Sequence, residues 1–259
     1  MSNPLHSNKS LDGTIEVPEL TAAEIQARVL HRDGLMLVID KPAGLPVHRG
    51  PKGGANLESS FDALRFGLPR PPVLAHRLDR ETSGCLVLGR HRKATASLGL
   101  LFKHGRISKT YWAVVEGGPV ENEGIINMPL GRLNAERGWW QKPDPEGQSA
   151  ITNWRVMGRG HDLTWLALEP VTGRTHQLRV HSAAQGWPIF GDNIYGNAPR
   201  FGGPRLHLHS REIVIPISRN KEAVRVTAPV PSHMWERLKA CGWNGEQLVT
   251  PSAAPHRFP

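Results

Sequence analysis

The chain has 259 residues, 39% hydrophobic and 21% charged, which suits one substantial globular core and excludes a disordered or fibrous protein. Lysine and arginine exceed aspartate and glutamate by 9, with a sequence pI near 10.1, a balance that favours a polyanionic partner such as RNA, DNA or anionic lipid. No apolar run approaches the roughly 20 residues of a membrane span, Met1–Asp12 lacks the apolar stretch of a secretory signal, and Cys85 and Cys241 form neither a disulfide framework nor a CxxC pair. A cytoplasmic protein without a membrane anchor is therefore expected.

In chain order, Thr21-Ala-Ala-Glu24 has the form of a capping box opening a short helix that ends near Leu30. Asp33-Gly34 separates it from the apolar run Leu35–Asp40, which reads as a buried strand stopped by Lys41-Pro42-Ala43-Gly44. Gly50–Asn56 and Arg65–Pro72 read as surface loops around a short helix at Leu57–Phe66. Apolar residues at Ala94, Leu98, Leu101 and Phe102 follow helical spacing up to Gly105, and Ile107–Glu116 is a strand by composition. Ile151–Met157 and Leu163–Glu169 predict a hairpin through Gly158-Arg159-Gly160. A short helix follows at Gln177–Gln185, then strands at Leu206–Ile215 and Val224–Val226. A last helix at Met234–Ala240 carries Trp235 and Leu238 on one face. Strands and scattered short helices without regular βαβ alternation predict an α+β fold. One domain over 21–245 is expected, flanked by tails at 1–20 and 246–259.

Chemistry is concentrated in three motifs. His76-Arg77-Leu78-Asp79-Arg80 crowds charge into a turn before Thr82-Ser83-Gly84 and the apolar Cys85–Leu88. Flanking arginines favour the charged form of a carboxylate, although a lone RxDR more often marks a surface ion-pair network. Lys109-Thr110-Tyr111 opens the strand before Gly117, and Gly173-Arg174-Thr175-His176-Gln177-Leu178-Arg179-Val180-His181 precedes Pro188-Ile189-Phe190-Gly191-Asp192-Asn193-Ile194-Tyr195-Gly196.

These motifs, in this order and with Leu37–Gly44 upstream, resemble those of the RluA family of pseudouridine synthases over roughly Val29 to Val230. The resemblance implies a pseudouridine synthase fold, a mixed and mostly antiparallel sheet flanked by short helices and loops. It implies that Asp79 is the catalytic carboxylate, that Tyr111 lies against the target base, that Leu178 lines the base pocket and that Arg179 pairs with Asp79. Arg77 would enter the space left by a flipped nucleotide. A planar guanidinium suits the paired role because it can hold a carboxylate through two hydrogen bonds. About thirty residues precede the first motif, too few for the S4 domain of many relatives, so the chain resembles the shorter members.

The implied partner is RNA, transfer or ribosomal, bound by a monomer. Reaching a stacked uridine means flipping it out, at a cost of a few kcal/mol, which phosphate contacts must supply. Arg49, Lys52, Arg65 and Arg70 are candidates, with Arg132, Arg137 and Lys142 on a second segment that also holds Trp139 and Trp140. No small-molecule cofactor is implied, since neither GxxxxGK[ST] nor GxGxxG occurs. His76, His176, His181, His207 and His209 invite a metal reading, but cysteine or a clear third ligand is missing, so no metal is expected. Two rival classes are a non-catalytic RNA-binding or chaperone protein with the same fold, and a glycoside hydrolase using Glu81 as its second carboxylate.

Overall fold

The computed structural model describes residues 19–50, 53–134, 139–217 and 222–245. The expected tails therefore fall almost wholly outside the described residues, as do Lys52 and Arg137.

Helix α1 (Ala22–Ala27) opens on the expected capping box, in which the Thr21 backbone N–H donates to Glu24 Oε2 at 2.8 Å and the Glu24 N–H donates to Thr21 Oγ1 at 3.3 Å. It ends at Arg28 rather than near Leu30, because Val29–Arg32 forms strand β1 and pairs antiparallel with β2 (Met36–Lys41). Sheet pairing has overridden local helix preference there. The segment read as a helix at Leu57–Phe66 is a 3₁₀ turn at Glu58–Leu64. Strand β3 (Val73–Leu74) and strand β4 (Ser83–Gly89) then bracket the first motif.

Helix α2 (Arg92–Lys103) is capped by the His91 imidazole and leads to β5 (Ser108–Glu116). Three short strands follow that the sequence reading missed, β6 (Glu123–Asn127), β7 (Leu130–Arg132) and β8 (Gln141–Pro143). The expected hairpin is β9 (Ile151–Arg159) and β10 (Leu163–Pro170), with Gly158 and Arg159 inside the strand rather than in its turn. Helix α3 (Gln177–Ala184), β11 (Leu208–Ile215), β12 (Val224–Thr227) and helix α4 (Ser232–Ala240) complete the chain. On α4 the buried pair is Met234 and Leu238, one turn apart, whereas Trp235 is exposed and its indole N–H donates to Val230 O.

The main sheet runs β1-β2-β4-β11-β5-β10-β9-β6, with β12 beside β11 and β3 beside β4, while β7 and β8 form a separate ribbon. Among the described strands only β4 and β11 pair in parallel, so the expectation of an α+β, mostly antiparallel sheet with short helices holds. Both faces of its centre are covered. Leu37, Ile39, Leu86 and Leu88 join one core cluster, while their neighbours Met36, Val38, Cys85 and Val87 join another. That is why Leu35–Asp40 and Cys85–Leu88 read as unbroken apolar runs instead of alternating ones. At the parallel crossing, Gly84 has φ 102°, and a β-carbon there would lie 2.2 Å from Ser210 O, so only glycine fits. This close approach seats the loop before β4 against β11.

Candidate active site

Asp79 lies in the loop immediately before β4, and that loop is tied down from both sides. Its carbonyl accepts from Thr82 N–H at 3.1 Å, and the next carbonyl, Arg80 O, accepts from Gly44 N–H at 2.9 Å and from Lys41 Nζ at 2.9 Å. Lys41 is fully buried and also donates to Pro42 O at 2.8 Å. Burial pushes its amine down to about 7, against the pull of Glu81, Asp79 and Asp40. The stretch Lys41–Gly44 thus serves as the anchor of the Asp79 loop.

The other walls come from distant segments. Tyr111 sits mid-way along β5, paired with Ser210 of β11 on one side and Leu168 of β10 on the other. Burial drives its phenol well above the ordinary value, an effect reinforced by Asp79 and opposed by a hydrogen bond with Ser210. It is therefore a neutral phenol at working pH, fit to stack or donate rather than to act as phenolate. Leu178 and Arg179 project from the first turn of α3, both buried. Together with Arg77, these residues and Asp79 line one cavity of about 710 Å³, within the range of small-molecule sites. All five residues singled out for catalysis and substrate binding share it.

One expected pairing is corrected. Arg179 does not close on Asp79: its Nε donates to Asp192 Oδ2 at 2.8 Å and its Nη2 to Asp192 Oδ1 at 2.7 Å. Asp192 wins because its carboxylate is also anchored by the N–H groups of Ile194 and Tyr195, so its loop presents a fixed fork to the guanidinium. Burial pushes the Asp192 carboxyl upward, but the Arg179 hydrogen bonds and charge outweigh it and hold the group below its ordinary value. Arg179 remains an electrostatic neighbour of Asp79, while the side chain that faces the Asp79 carboxylate itself is His176, with Nε2 3.8 Å from Oδ1.

Sequence reasoning missed several members of this wall. Lys103, His104, Lys109 and Arg174 line the cavity and make its rim basic. Lys109 was legible as the first residue of Lys-Thr-Tyr, whereas Lys103 and His104 arrive only through the placement of α2. Of the residues proposed for phosphate contact, Arg49, Arg70, Arg132 and Lys142 are exposed, and none of them lines the cavity. Arg65, the remaining candidate, is half-buried and donates to Asp62 Oδ1 and Pro69 O. Trp139 is 56% exposed beside the cavity, its ring edge-on to His176 with centroids 5.7 Å apart.

The histidines have protein partners. His181 faces Thr152 Oγ1 and Met128 O, His209 faces Ser83 Oγ, and His76 Nε2 accepts from Val87 N–H while its ring stacks on Phe102. Among the described residues no three His, Cys, Asp or Glu side chains converge as metal ligands.

Comparison with known proteins identifies the family and the fold. The family model for RNA pseudouridylate synthase matches residues 35–184, more than half of the chain. An uncharacterized RNA pseudouridine synthase of Zymomonas mobilis is 42% identical over 206 residues, covering 79% of this chain and 94% of the relative. Ribosomal large subunit pseudouridine synthase C of Vibrio cholerae is 32% identical over 225 residues, covering 83% of this chain and 70% of the relative. Among solved structures, human RNA pseudouridylate synthase domain containing 4 superposes with a TM-score of 0.70 at 27% identity, covering 84% of this chain and 95% of that one. The chain belongs to the RNA pseudouridylate synthase family, within its RluA group, and is an isomerase acting on RNA.

Proposed function

We propose that this enzyme converts specific uridines of transfer or ribosomal RNA to pseudouridine with Asp79 as the catalytic carboxylate, working as a cytoplasmic monomer whose catalytic unit spans 21–245. The observation that carries this reading is the convergence of Asp79, Tyr111, Leu178 and Arg179, from three distant parts of the sequence, on one cavity with a basic rim. A flipped uridine would enter with its base between the Tyr111 ring and the Leu178 side chain and its ribose toward Asp79. The bond from N1 to the sugar carbon C1′ breaks, the uracil turns within the enclosed space and C5 bonds to C1′; C5 then gives up its proton and N1 gains one, so the product is an isomer of the uridine. Arg77, exposed at the cavity edge, is suited to fill the gap left in the RNA. Arg49, Arg70, Arg132 and Lys142 would meet phosphates farther out, and the exposed face of Trp139 is suited to stack on an unpaired base.

The direct test incubates purified protein with transcribed transfer and ribosomal RNAs and maps pseudouridine by chemical labelling. Conversion in wild type that is lost in Asp79→Asn with RNA affinity retained supports the assignment. Unchanged conversion in Asp79→Asn refutes the role of that carboxylate. Conversion in neither RNA class refutes the substrate.

A further inference from the structure

A side chain that faces the Asp79 carboxylate comes from a residue in a strained conformation. His176 is the N-cap of α3, yet its side chain caps nothing, and its backbone is left-handed with φ 54°. Non-glycine residues held this way concentrate at functional sites, where the surrounding structure compensates the strain. Its two ring nitrogens point to different partners: Nδ1 is 2.8 Å from Tyr195 Oη, and Nε2 is 3.8 Å from Asp79 Oδ1.

The protons on this chain can be placed by counting donors. The Gln141 backbone N–H donates to Tyr195 Oη at 3.0 Å, occupying one acceptor site of the phenol. The phenol proton then needs an acceptor, and among the described residues the ring nitrogen of His176 is the one within reach. Burial pushes the Tyr195 phenol above its ordinary value, so it keeps that proton. With Nδ1 accepting, a neutral imidazole carries its single proton on Nε2, facing Asp79. Neutrality itself is favoured. Burial lowers the His176 pKa, and Arg179 and Arg77 lower it further, outweighing the opposite pull of Asp79 and Asp192.

We infer that His176 is a positioning residue, fixed by Tyr195 as the Nε2–H tautomer and directing that N–H at the Asp79 carboxylate so that its other oxygen is presented to the bound nucleoside. The present gap of 3.8 Å exceeds a hydrogen bond, as is common for catalytic contacts before substrate closes the site. Because Gln141 begins β8, the chain Gln141–Tyr195–His176–Asp79 also links the β7–β8 ribbon to the reacting centre. Trp139 leans on the same imidazole from the exposed side. The inference rests on the proposed role of Asp79.

The test compares His176→Ala, His176→Gln and Tyr195→Phe in the full chain. Backbone strain changes little among the histidine variants, since residue 176 is already left-handed. A glutamine amide can place an N–H close to the position of Nε2, so His176→Gln is the rescuing variant. With an RNA transcript that wild type converts, His176→Ala is expected to lower kcat by roughly 10- to 100-fold, the range for losing a hydrogen bond to a charged group, with RNA affinity unchanged. His176→Gln should recover most of that loss. Tyr195→Phe should lower kcat more mildly and move the acid limb of the pH profile upward, because Nδ1 loses its donor partner and becomes free to take a proton.

A second readout needs no activity. Imidazole ¹⁵N spectra of the RNA-free protein, with the His176 signal identified by its loss in His176→Gln, should show protonated Nε2 and bare Nδ1, a preference lost in Tyr195→Phe. A wild-type Nδ1–H tautomer overturns the inference, as does full kcat in His176→Ala. Equal loss of activity and melting temperature in the alanine and glutamine variants also overturns it, by reducing His176 to a packing residue. Should wild type convert no transcript, the proposed activity fails, while the spectra still decide the tautomer.

Discussion

The Arg179–Asp192 pair makes a demanding prediction because both side chains are nearly sealed from solvent, at 4% and 0% exposure. Asp192→Asn keeps the shape but replaces one carboxylate oxygen with an amide, so a guanidinium N–H meets an N–H and the buried Arg179 charge loses its counter-ion. Removing one partner of a buried pair costs about 3–5 kcal/mol. For a protein of this size each kcal/mol lowers the melting temperature by about 2–4 °C, so the expected drop is roughly 6–20 °C. The effect has a defined pH dependence. Asp192 is held below its ordinary value of 3.8, so the pair's stabilisation is whole above that pH and is lost as pH falls through the lower folded value. Arg179, raised from 12.5, keeps its proton throughout. Denaturant and thermal melts of wild type and Asp192→Asn should therefore differ by a constant amount near neutrality and converge only in strong acid. A difference under about 1 kcal/mol at pH 7, the level typical of an exposed ion pair, would refute the reasoning.

Asp79→Asn should lower conversion by roughly 10²–10⁴-fold with the fold retained, because the carboxylate lines the cavity; nucleoside analysis of treated RNA reads the first and calorimetry the second. Trp139→Ala should weaken RNA binding by roughly 1–3 kcal/mol, the contribution of one stacked base, and leave stability unchanged; a filter-binding series checks it. Lys41→Met removes the donor to Arg80 O and Pro42 O, and should lower both kcat and stability. Since the Lys41 pKa is depressed to about 7, the unfolded chain binds more protons above that pH, so wild-type stability should gain from this group between there and 10.5. Melts of Lys41→Met across that interval should lack the gain.

The elements legible in the sequence were those whose signals are local. The Thr21–Glu24 box, the doubly buried run at Met36–Lys41 and the helix closed by Gly186 all carry their cause within a few residues. The strands β1, β3, β6, β7 and β8 were missed because they are short and exist through partners far along the chain. Much the same division holds in the active site. Asp79, Tyr111, Leu178 and Arg179 were found through motifs, but the partner of Arg179 was misassigned. Choosing Asp192 over Asp79 depends on backbone N–H groups at Ile194 and Tyr195 that only the folded loop presents. Composition could say that the surface is basic, but not that Lys103 and Lys109 reach the cavity while Arg49 and Arg70 do not.

The central position of β11 carries a consequence for biosynthesis. Strand β5, which bears Tyr111, lies between β10 and β11, and the Asp79 loop abuts the parallel junction of β4 with β11, whose residues 208–215 follow the other walls of the cavity in the chain. A nascent chain can gather its first strands early, yet the cavity has no floor until this strand threads between partners made long before it. Such late, non-local insertion slows folding. It also means that an emerging polypeptide, basic and tethered to a ribosome, holds no assembled pocket toward the RNA that surrounds it until β11 has emerged.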